Sequence, residues 1–181
     1  SSDLDARNTA PAFPLLYEAF KQRTRFEQTV AAEVCRFYGL AAVRLHKNEH
    51  VEAALNALKT VNAGDLSDYI IGYRDELDGH FASAIGSYNS ALNAATHKRN
   101  VRRAELVRPR LIASILRSPQ PNWTWAIELA RTAVERSDSV FALRSLAQAC
   151  LESVYSDESM PDQERNAVWA EYLRTLEKLK S

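Results

Sequence analysis

Residues that interrupt helices are scarce in this sequence. Its 181 residues include five Gly and six Pro, and long runs rich in Ala, Leu, Arg and Glu separate them. A fold built from many strands and tight turns needs Gly and Pro more often. The sequence therefore predicts an all-α protein whose helices are joined by short links.

An excess of charge of one sign and long apolar runs are also missing. The 23 Lys and Arg residues balance the 23 Asp and Glu residues, so any nucleic-acid surface has to be local. No segment approaches the roughly 18 apolar residues of a membrane-spanning helix, and no signal peptide is visible. We expect a cytoplasmic protein without a membrane span, and the Ser-Ser start without Met suggests a piece of a longer chain.

Motifs of catalysis are missing as well. There is no Gly-rich phosphate loop, no Cys-x-x-Cys pair and no Gly-x-Ser-x-Gly turn. The two cysteines, Cys35 and Cys150, lie in apolar helical patterns that are typical of buried free thiols. His46 and His50 have the spacing of a metal-binding pair, but the repeat described below places His50 in a turn. We expect neither an enzyme nor a bound metal or cofactor.

Apolar periodicity predicts eight helices after an extended N-terminal segment. Residues 1–14 contain Pro11 and Pro14 and are predicted to be extended. Gly64 is expected to end one helix, and Asp65 is expected to cap the next. The predicted helices are 15–47, with a break near Thr24, and 50–62, 66–78, 81–95, 99–117, 122–136, 139–154 and 162–179.

Two segments of the chain match each other at a spacing of thirty residues. Residues 47–58 align with 77–88 without a gap, so that Ala54 falls on Ala84, and a third copy brings Ala126 to the same position. Small side chains at one recurring site let two helices approach closely. The repeat predicts helical hairpins that stack in order along the chain.

One copy of the repeat has a distinctive pattern of small and aromatic residues. It consists of Tyr69-Ile-Ile-Gly72, Gly79-His-Phe81, Ala84-Ile85, Tyr88 and Ala91-Leu92. This pattern resembles the tetratricopeptide repeat (TPR), closely over 69–96 and more weakly over 35–68 and 100–135. The resemblance implies a superhelical array of about four antiparallel hairpins over 15–181, an α-solenoid whose inner groove binds an extended peptide or a partner helix. Degenerate helical-hairpin repeats of another type are the alternative.

The first helix of each pair lines the groove in such an array, so its inward residues are candidates for contact with a partner. By the repeat alignment these residues are Arg36, His46, Tyr69, Tyr73, Glu76, Arg108, Arg144 and Gln148. A few aromatic and Arg side chains carry most of the affinity at protein interfaces. The alternative for Tyr69 and Tyr73 is packing between hairpins.

Positive charge is concentrated in one predicted helix. Residues 97–117 include seven Lys and Arg residues and a single acidic residue. Pro109 lies within this segment and predicts either a kink in the helix or a restart of the helix there. Three interpretations stay open: neutralisation by the acidic helix 66–78, binding of an acidic peptide, and contact with nucleic acid. Nucleic acid is the least expected, because no aromatic residue lies between the cations. The candidate basic patch comprises Lys98, Arg99, Arg102, Arg103 and Arg110.

The last predicted helix has an apolar stripe. Its members are Trp169, Tyr172, Leu173, Leu176 and Leu179. Such a stripe is typical of a helix that closes a repeat array, and self-association or an interdomain contact is the alternative.

The sequence as a whole favours a non-catalytic protein-interaction module, part of a larger protein or complex, with a protein or peptide partner of acidic character. One alternative is a structural or regulatory helical domain attached to an enzyme in a bacterial signalling or defence protein. The other alternative is a nucleic-acid-associated domain that uses residues 98–117.

Overall fold

A computed structural model of the chain describes residues 9–137 and 139–180. These residues form nine α-helices and no β-strand, which confirms the predicted all-α class. The helices are α1 Phe13–Lys21, α2 Gln28–Arg44, α3 Asn48–Thr60, α4 Gly64–Leu77, α5 Phe81–His97, α6 Val101–Arg117, α7 Trp123–Arg136, α8 Val140–Ser156 and α9 Asp162–Lys180. None of them combines the length and the apolar composition that crossing a membrane requires.

Helical structure begins earlier than predicted. Ala10–Ala12 form a 3-10 turn, and α1 follows directly at Phe13. The prediction of an extended segment over 1–14 is therefore wrong for its described part, and its first eight residues lie outside the described ranges. Pro11 and Pro14 stand at early helical positions, where the missing N–H costs no hydrogen bond and the fixed φ suits a helix.

Two predicted interruptions have different outcomes. The break near Thr24 is confirmed, because a 3-10 turn at Arg23–Arg25 separates α1 from α2. The restart at Pro109 is wrong, because α6 continues through this residue. A kink at Pro109 stays a prediction.

The links that follow α2, α3 and α4 share one geometry. Each has three residues, and the middle one, His46, Asn62 or Gly79, has a positive φ. The N–H of the third residue in each link donates to a carbonyl five residues earlier, at 2.8 to 3.0 Å. This hydrogen bond satisfies a carbonyl at the C-terminal end of the preceding helix, and it thereby caps that helix.

The turn between α3 and α4 corrects one prediction. Asn62, rather than Gly64, has the left-handed backbone. Gly64 is the first residue of α4, and the cap position before it is Ala63, which makes no side-chain hydrogen bond. The predicted cap by Asp65 is therefore wrong, because this residue already lies inside the helix.

The helix contacts divide the chain into two compact units, unit 1 ending at Lys98 and unit 2 beginning at Arg99. In unit 1, α2 packs on α3 and α4 packs on α5, and α2 also contacts α4. In unit 2, α6 packs on α7 and α8 packs on α9, and α6 also contacts α8. Each unit thus contains two helix pairs whose first helices touch. A single repeat domain over 15–181 stays a prediction.

Small residues allow close helix approach in the core. Ala54 and Ala84 in unit 1 and Ala126 in unit 2 are all completely buried. A Cβ added to Gly39 of α2 would lie 3.1 Å from the Cβ of Ala54 in α3. A Cβ added to Gly72 of α4 would lie 2.8 Å from the ring of Tyr88 in α5. Both helix pairs of unit 1 therefore cross where a larger residue would not fit.

An aromatic cluster in unit 1 joins α1 to the first helix pair. The ring of Tyr38 in α2 is fully buried, and Phe13 and Phe20 of α1 stack on it with centroid distances of 5.5 and 4.2 Å. The Tyr38 hydroxyl is hydrogen-bonded to Nδ1 of His50 in α3. Burial raises the pKa of Tyr38 to about 12. α1 therefore shields this cluster from solvent.

Two arginines join α9 to α7 and to the end of α8 within unit 2. Arg131 of α7 makes a bidentate pair with the Glu171 carboxylate of α9, at 2.6 and 2.9 Å. Arg165 of α9 donates to the carbonyls of Val154 and Asp157, which satisfies acceptors at the C-terminal end of α8.

Both cysteines are buried free thiols, as predicted. Burial raises the pKa of Cys35, and it raises the pKa of Cys150 to about 12. Both groups are therefore neutral thiols in the folded protein at neutral pH.

Candidate partner-binding surfaces

Three of the predicted contact residues lie on α4 and are buried in unit 1. The Tyr73 hydroxyl accepts a 2.7 Å hydrogen bond from Nε of Arg44. Glu76 accepts a 2.8 Å hydrogen bond from the Tyr88 hydroxyl, and the Tyr69 ring lies 5.7 Å from the Tyr88 ring. These contacts give α4 a structural role, in line with packing of the tyrosines between helices. Partner contact at these residues stays a prediction.

The two remaining candidates of unit 1 have different environments. Arg36 is largely buried on α2, where its Nε donates a 2.8 Å hydrogen bond to Glu33 and its guanidinium lies 4.0 Å from the Phe37 ring centroid. His46 is exposed, but it lies in the link after α2 and not on the helix. Its placement on a first helix is therefore wrong, because the left-handed turn ends α2 at Arg44.

Lys98 is the one member of the predicted basic patch that lies in unit 1. Its Nζ is 3.3 Å from the carboxylate of Asp65 and 3.3 Å from the carbonyl of Asn62. The Asp65 side chain is almost fully buried, so this cation balances a charge that has little access to water. For Lys98, the contacts agree with neutralisation by the acidic helix.

The other four members of the patch lie in unit 2. Arg99 and Arg102 are exposed, whereas Arg103 and Arg110 are half-buried and already have interaction partners. The patch therefore combines exposed cations with cations that already interact with other groups of the protein. Its five charges are not equally available to a ligand.

Arg108 of α6 differs from every other candidate. Its side chain is only 3% exposed, and its Nε has no hydrogen-bond partner within the described residues. Burial lowers the pKa of this guanidinium, the charge of Arg136 lowers it further, and Glu105 raises it. Arginine nevertheless stays protonated in proteins, so α6 carries a buried positive charge whose Nε has no acceptor among the described residues.

The exposed face of α8 carries two predicted residues between two large aromatic ones. Arg144 and Gln148 are exposed, and Gln148 donates a 2.9 Å hydrogen bond to Glu152. Phe141 is 74% exposed and Tyr155 is 73% exposed. Positions 141, 144, 148 and 155 recur at helical spacing and thus share one face. We call these four residues the α8 face.

A hollow adjoins the Tyr155 end of the α8 face. It has a volume of about 420 Å³ and is lined by Val154, Tyr155, Arg165 and Trp169. The Tyr155 ring meets the Trp169 ring edge to face at 6.2 Å, and Trp169 lies 5.1 Å from the Tyr172 ring. The C-terminal apolar stripe therefore remains partly open to solvent at this point. Whether it caps the array or joins two copies stays a prediction.

Phe141 and Tyr155 are functional candidates that the sequence analysis missed. Together with Gln148 they recur every seven residues, which is a detectable signal in the sequence. This spacing does not reveal whether the face is covered, because the neighbouring helices decide that.

Metal ligation has no structural support among the described residues. Those residues contain no group of three or more His, Cys, Asp or Glu side chains that are placed to hold a metal ion. His46 lies in a link, and His50 is hydrogen-bonded to Tyr38.

The sequence matches no protein-family model, and neither a curated protein nor a solved structure is significantly similar to it.

Proposed function

We propose that this chain is a non-catalytic protein-interaction module of TPR-like character, in which each unit is a short stack of two helix pairs. Three features support the proposal. First helices touch within each unit. In unit 1, small residues also lie at the helix crossings, and three-residue links join successive helices. Stacked hairpins of this kind present extended surfaces that suit recognition of another chain.

The α8 face is the surface that binds the partner. The observation that carries this proposal is the exposure of Phe141 and Tyr155, each by about three quarters, on the same side of one helix. Single exposed apolar residues are common on protein surfaces. Two aromatic rings that flank an exposed Arg on one face have the composition of an interface, where Tyr, Trp and Arg dominate the affinity.

The geometry of the α8 face indicates the kind of partner. Tyr155 lies fourteen positions after Phe141, which corresponds to a rise of about 21 Å along the helix axis. A partner helix or an extended peptide can span this length with an apolar anchor near each end. A carboxylate between the anchors would pair with Arg144, so the partner segment is acidic in its middle.

Peptide selection tests this proposal. A displayed library of random peptides is selected on the purified chain, and the binding of the selected peptides is then measured by calorimetry. In the Phe141→Ala/Tyr155→Ala double variant we expect affinity to fall by at least about tenfold, because each aromatic anchor contributes a kcal/mol or more. The exposed positions of both residues leave the melting temperature nearly unchanged.

The matched control is Leu15→Ala in unit 1, which removes a side chain that is 75% exposed. It should bind the selected peptides like the unsubstituted chain. Peptides that bind the double variant and the unsubstituted chain equally would contradict the α8 face as the binding surface. Failure to select any peptide would favour a structural or regulatory domain instead.

A further inference from the structure

A hollow of about 310 Å³ in unit 2 is lined by residues of α7, α8 and α9. Its apolar lining consists of Val134, Leu143 and Leu146, and both leucines are buried. Ligand pockets commonly measure about 300 to 1,000 Å³ and combine apolar walls with a few polar groups. A cavity of about 150 Å³ holds benzene, so this hollow has room for an apolar group with polar atoms attached to it.

The hollow and the α8 face lie on different sides of the same helix. Leu143 and Leu146 come two and five positions after Phe141, which places them on the opposite side of α8. An inference about the hollow therefore does not depend on the proposed role of the α8 face.

One ion pair joins the two outer helices of the hollow. Arg131 of α7 and Glu171 of α9 both line it, and their bidentate contact at 2.6 and 2.9 Å balances the two charges. A bidentate contact between a guanidinium and a carboxylate fixes both distance and orientation. The pair therefore holds α7 and α9 at a set separation on either side of the leucines, and its two charges are already satisfied.

Two further charges of opposite sign line the same hollow. Arg174 of α9 is exposed, and within the described residues its side chain makes one hydrogen bond, from Nε to the carbonyl of Ala170 at 3.3 Å. Glu135 of α7 is also exposed, and its carboxylate makes neither an ion pair nor a hydrogen bond with the part of the chain that the structure describes. Lys178 lines the hollow too, but it already has an interaction of its own.

We propose that this hollow binds a free amino acid with an apolar side chain. The carboxylate of the ligand pairs with Arg174, whose guanidinium can donate two parallel hydrogen bonds to it. The ammonium group pairs with Glu135, and the side chain packs on the buried leucines. A zwitterion matches the two charges better than an ion of one sign, because such an ion would be attracted by one of them and repelled by the other.

Titration of the full chain with four small molecules, followed by NMR at neutral pH and constant ionic strength, tests the proposal. The ligands are phenylalanine, phenylpropanoate without the ammonium group, phenethylamine without the carboxylate, and glycine without the apolar side chain. We expect phenylalanine to bind most tightly. Loss of either charged group should weaken binding about two- to fivefold, the range of a solvent-accessible ion pair. Glycine should bind at least about tenfold more weakly, because it buries no apolar surface.

Two substitutions assign the charged groups of the ligand. Arg174→Gln should remove most of the advantage of phenylalanine over phenethylamine, and Glu135→Gln should remove most of its advantage over phenylpropanoate. The matched controls are Arg102→Gln in α6 and Glu128→Gln in α7, both at exposed positions outside the lining of the hollow. Each control should preserve the order of the four affinities.

A third substitution tests the location of the site. Val134→Phe fills part of the hollow and should weaken phenylalanine binding at least about tenfold, whereas Val101→Phe, at an exposed position of α6, should leave it unchanged. If Val134→Phe does not fold, the methyl resonances of the unsubstituted chain locate the site. Those of Leu143 and Leu146 should shift with phenylalanine, and those of Leu58 in unit 1 should not.

Three results would overturn the proposal. The first is no binding of phenylalanine at millimolar concentration. The second is equal affinity for phenylalanine and for either ligand that lacks one of its charged groups, since the site would then not recognise an amino acid. The third is phenylalanine binding that Val134→Phe leaves unchanged, or that shifts neither Leu143 nor Leu146, since the ligand would then lie elsewhere.

Discussion

The hydroxyl of Tyr88 in α5 donates a 2.8 Å hydrogen bond to the carboxylate of Glu76 in α4, and both side chains are buried. A buried carboxylate depends strongly on the donors that surround it, because it has little access to water. This bond therefore ties the second helix pair of unit 1 together in a way that apolar packing alone would not.

Tyr88→Phe tests the value of this hydrogen bond. The variant keeps the ring and removes the donor to Glu76, so we expect the free energy of unfolding to fall by about 1.5 to 3 kcal/mol. Urea denaturation measures the change. Tyr155→Phe is the control, because its ring is 73% exposed and its hydroxyl can bond to water. Equal stability of the two variants would show that Glu76 does not need the Tyr88 donor.

Gly72 and Gly86 provide a matched pair of glycine substitutions in unit 1. Gly72→Ala would bring a methyl group to 2.8 Å from the Tyr88 ring, and we expect a loss of about 1 to 3 kcal/mol in the free energy of unfolding. A Cβ on Gly86 meets no atom within 4 Å, so Gly86→Ala should instead stabilise α5 by about 0.5 to 1 kcal/mol. Opposite shifts of the melting temperature are the expected result. Destabilisation by both variants would contradict the close packing at Gly72.

Alkaline pH should weaken the fold through Tyr38. The pKa of this residue is about 12 in the folded chain and about 10 in an unfolded one. Between these values the unfolded chain loses the proton while the folded chain keeps it, so stability falls as the pH rises. Below pH 10 this contribution to stability is fully present. By pH 12 the resulting loss in the free energy of unfolding reaches up to about 2 kcal/mol.

Urea denaturation between pH 9 and pH 12 measures this loss. The decline should be shallower for Tyr38→Phe than for the unsubstituted chain, whatever the absolute stability of the variant. Tyr155→Phe should follow the unsubstituted chain, since its ring is exposed in both states. Parallel curves for all three proteins would be inconsistent with a raised Tyr38 pKa.

The two buried thiols should resist modification in the folded state. Only the thiolate form of a cysteine attacks a disulfide reagent, and the pKa of Cys150 is about 12. We expect no reaction at pH 8 under native conditions and two equivalents of released thiolate after addition of guanidinium chloride, one for each cysteine. Ser156→Cys adds a thiol at an exposed position and should react at once. Fast reaction of the unsubstituted folded chain would mean that unit 1 or unit 2 opens readily.

The helices could be predicted from the sequence because their signals are local. Apolar periodicity places α3 to α9 within a few residues of their observed bounds, and the small recurring residues Ala54, Ala84 and Ala126 are buried. The helix start at Phe13 was missed because a proline in a first turn resembles a proline in an extended segment.

The candidate site could be predicted only in part, because burial depends on neighbours distant in sequence. Tyr73 and Arg108 both have the pattern of groove residues. Tyr73 is nevertheless hydrogen-bonded to Arg44 from another helix, while the Nε of Arg108 has no acceptor within the part of the chain that the structure describes. The spacing of Phe141 and Tyr155 likewise leaves open whether another helix covers them. His46 was misplaced because histidine is only a weak sequence signal for a left-handed backbone, much weaker than glycine.

The three-residue links centred on His46, Asn62 and Gly79 leave no spare residue between successive helices of unit 1. One extra residue in such a link would rotate the following helix by about 100° about its own axis and turn its apolar stripe toward water. Insertions and deletions in these three links should therefore destabilise the fold. The five-residue connections before α7 and α9 should tolerate them better, because a longer loop can change in length at little cost in free energy.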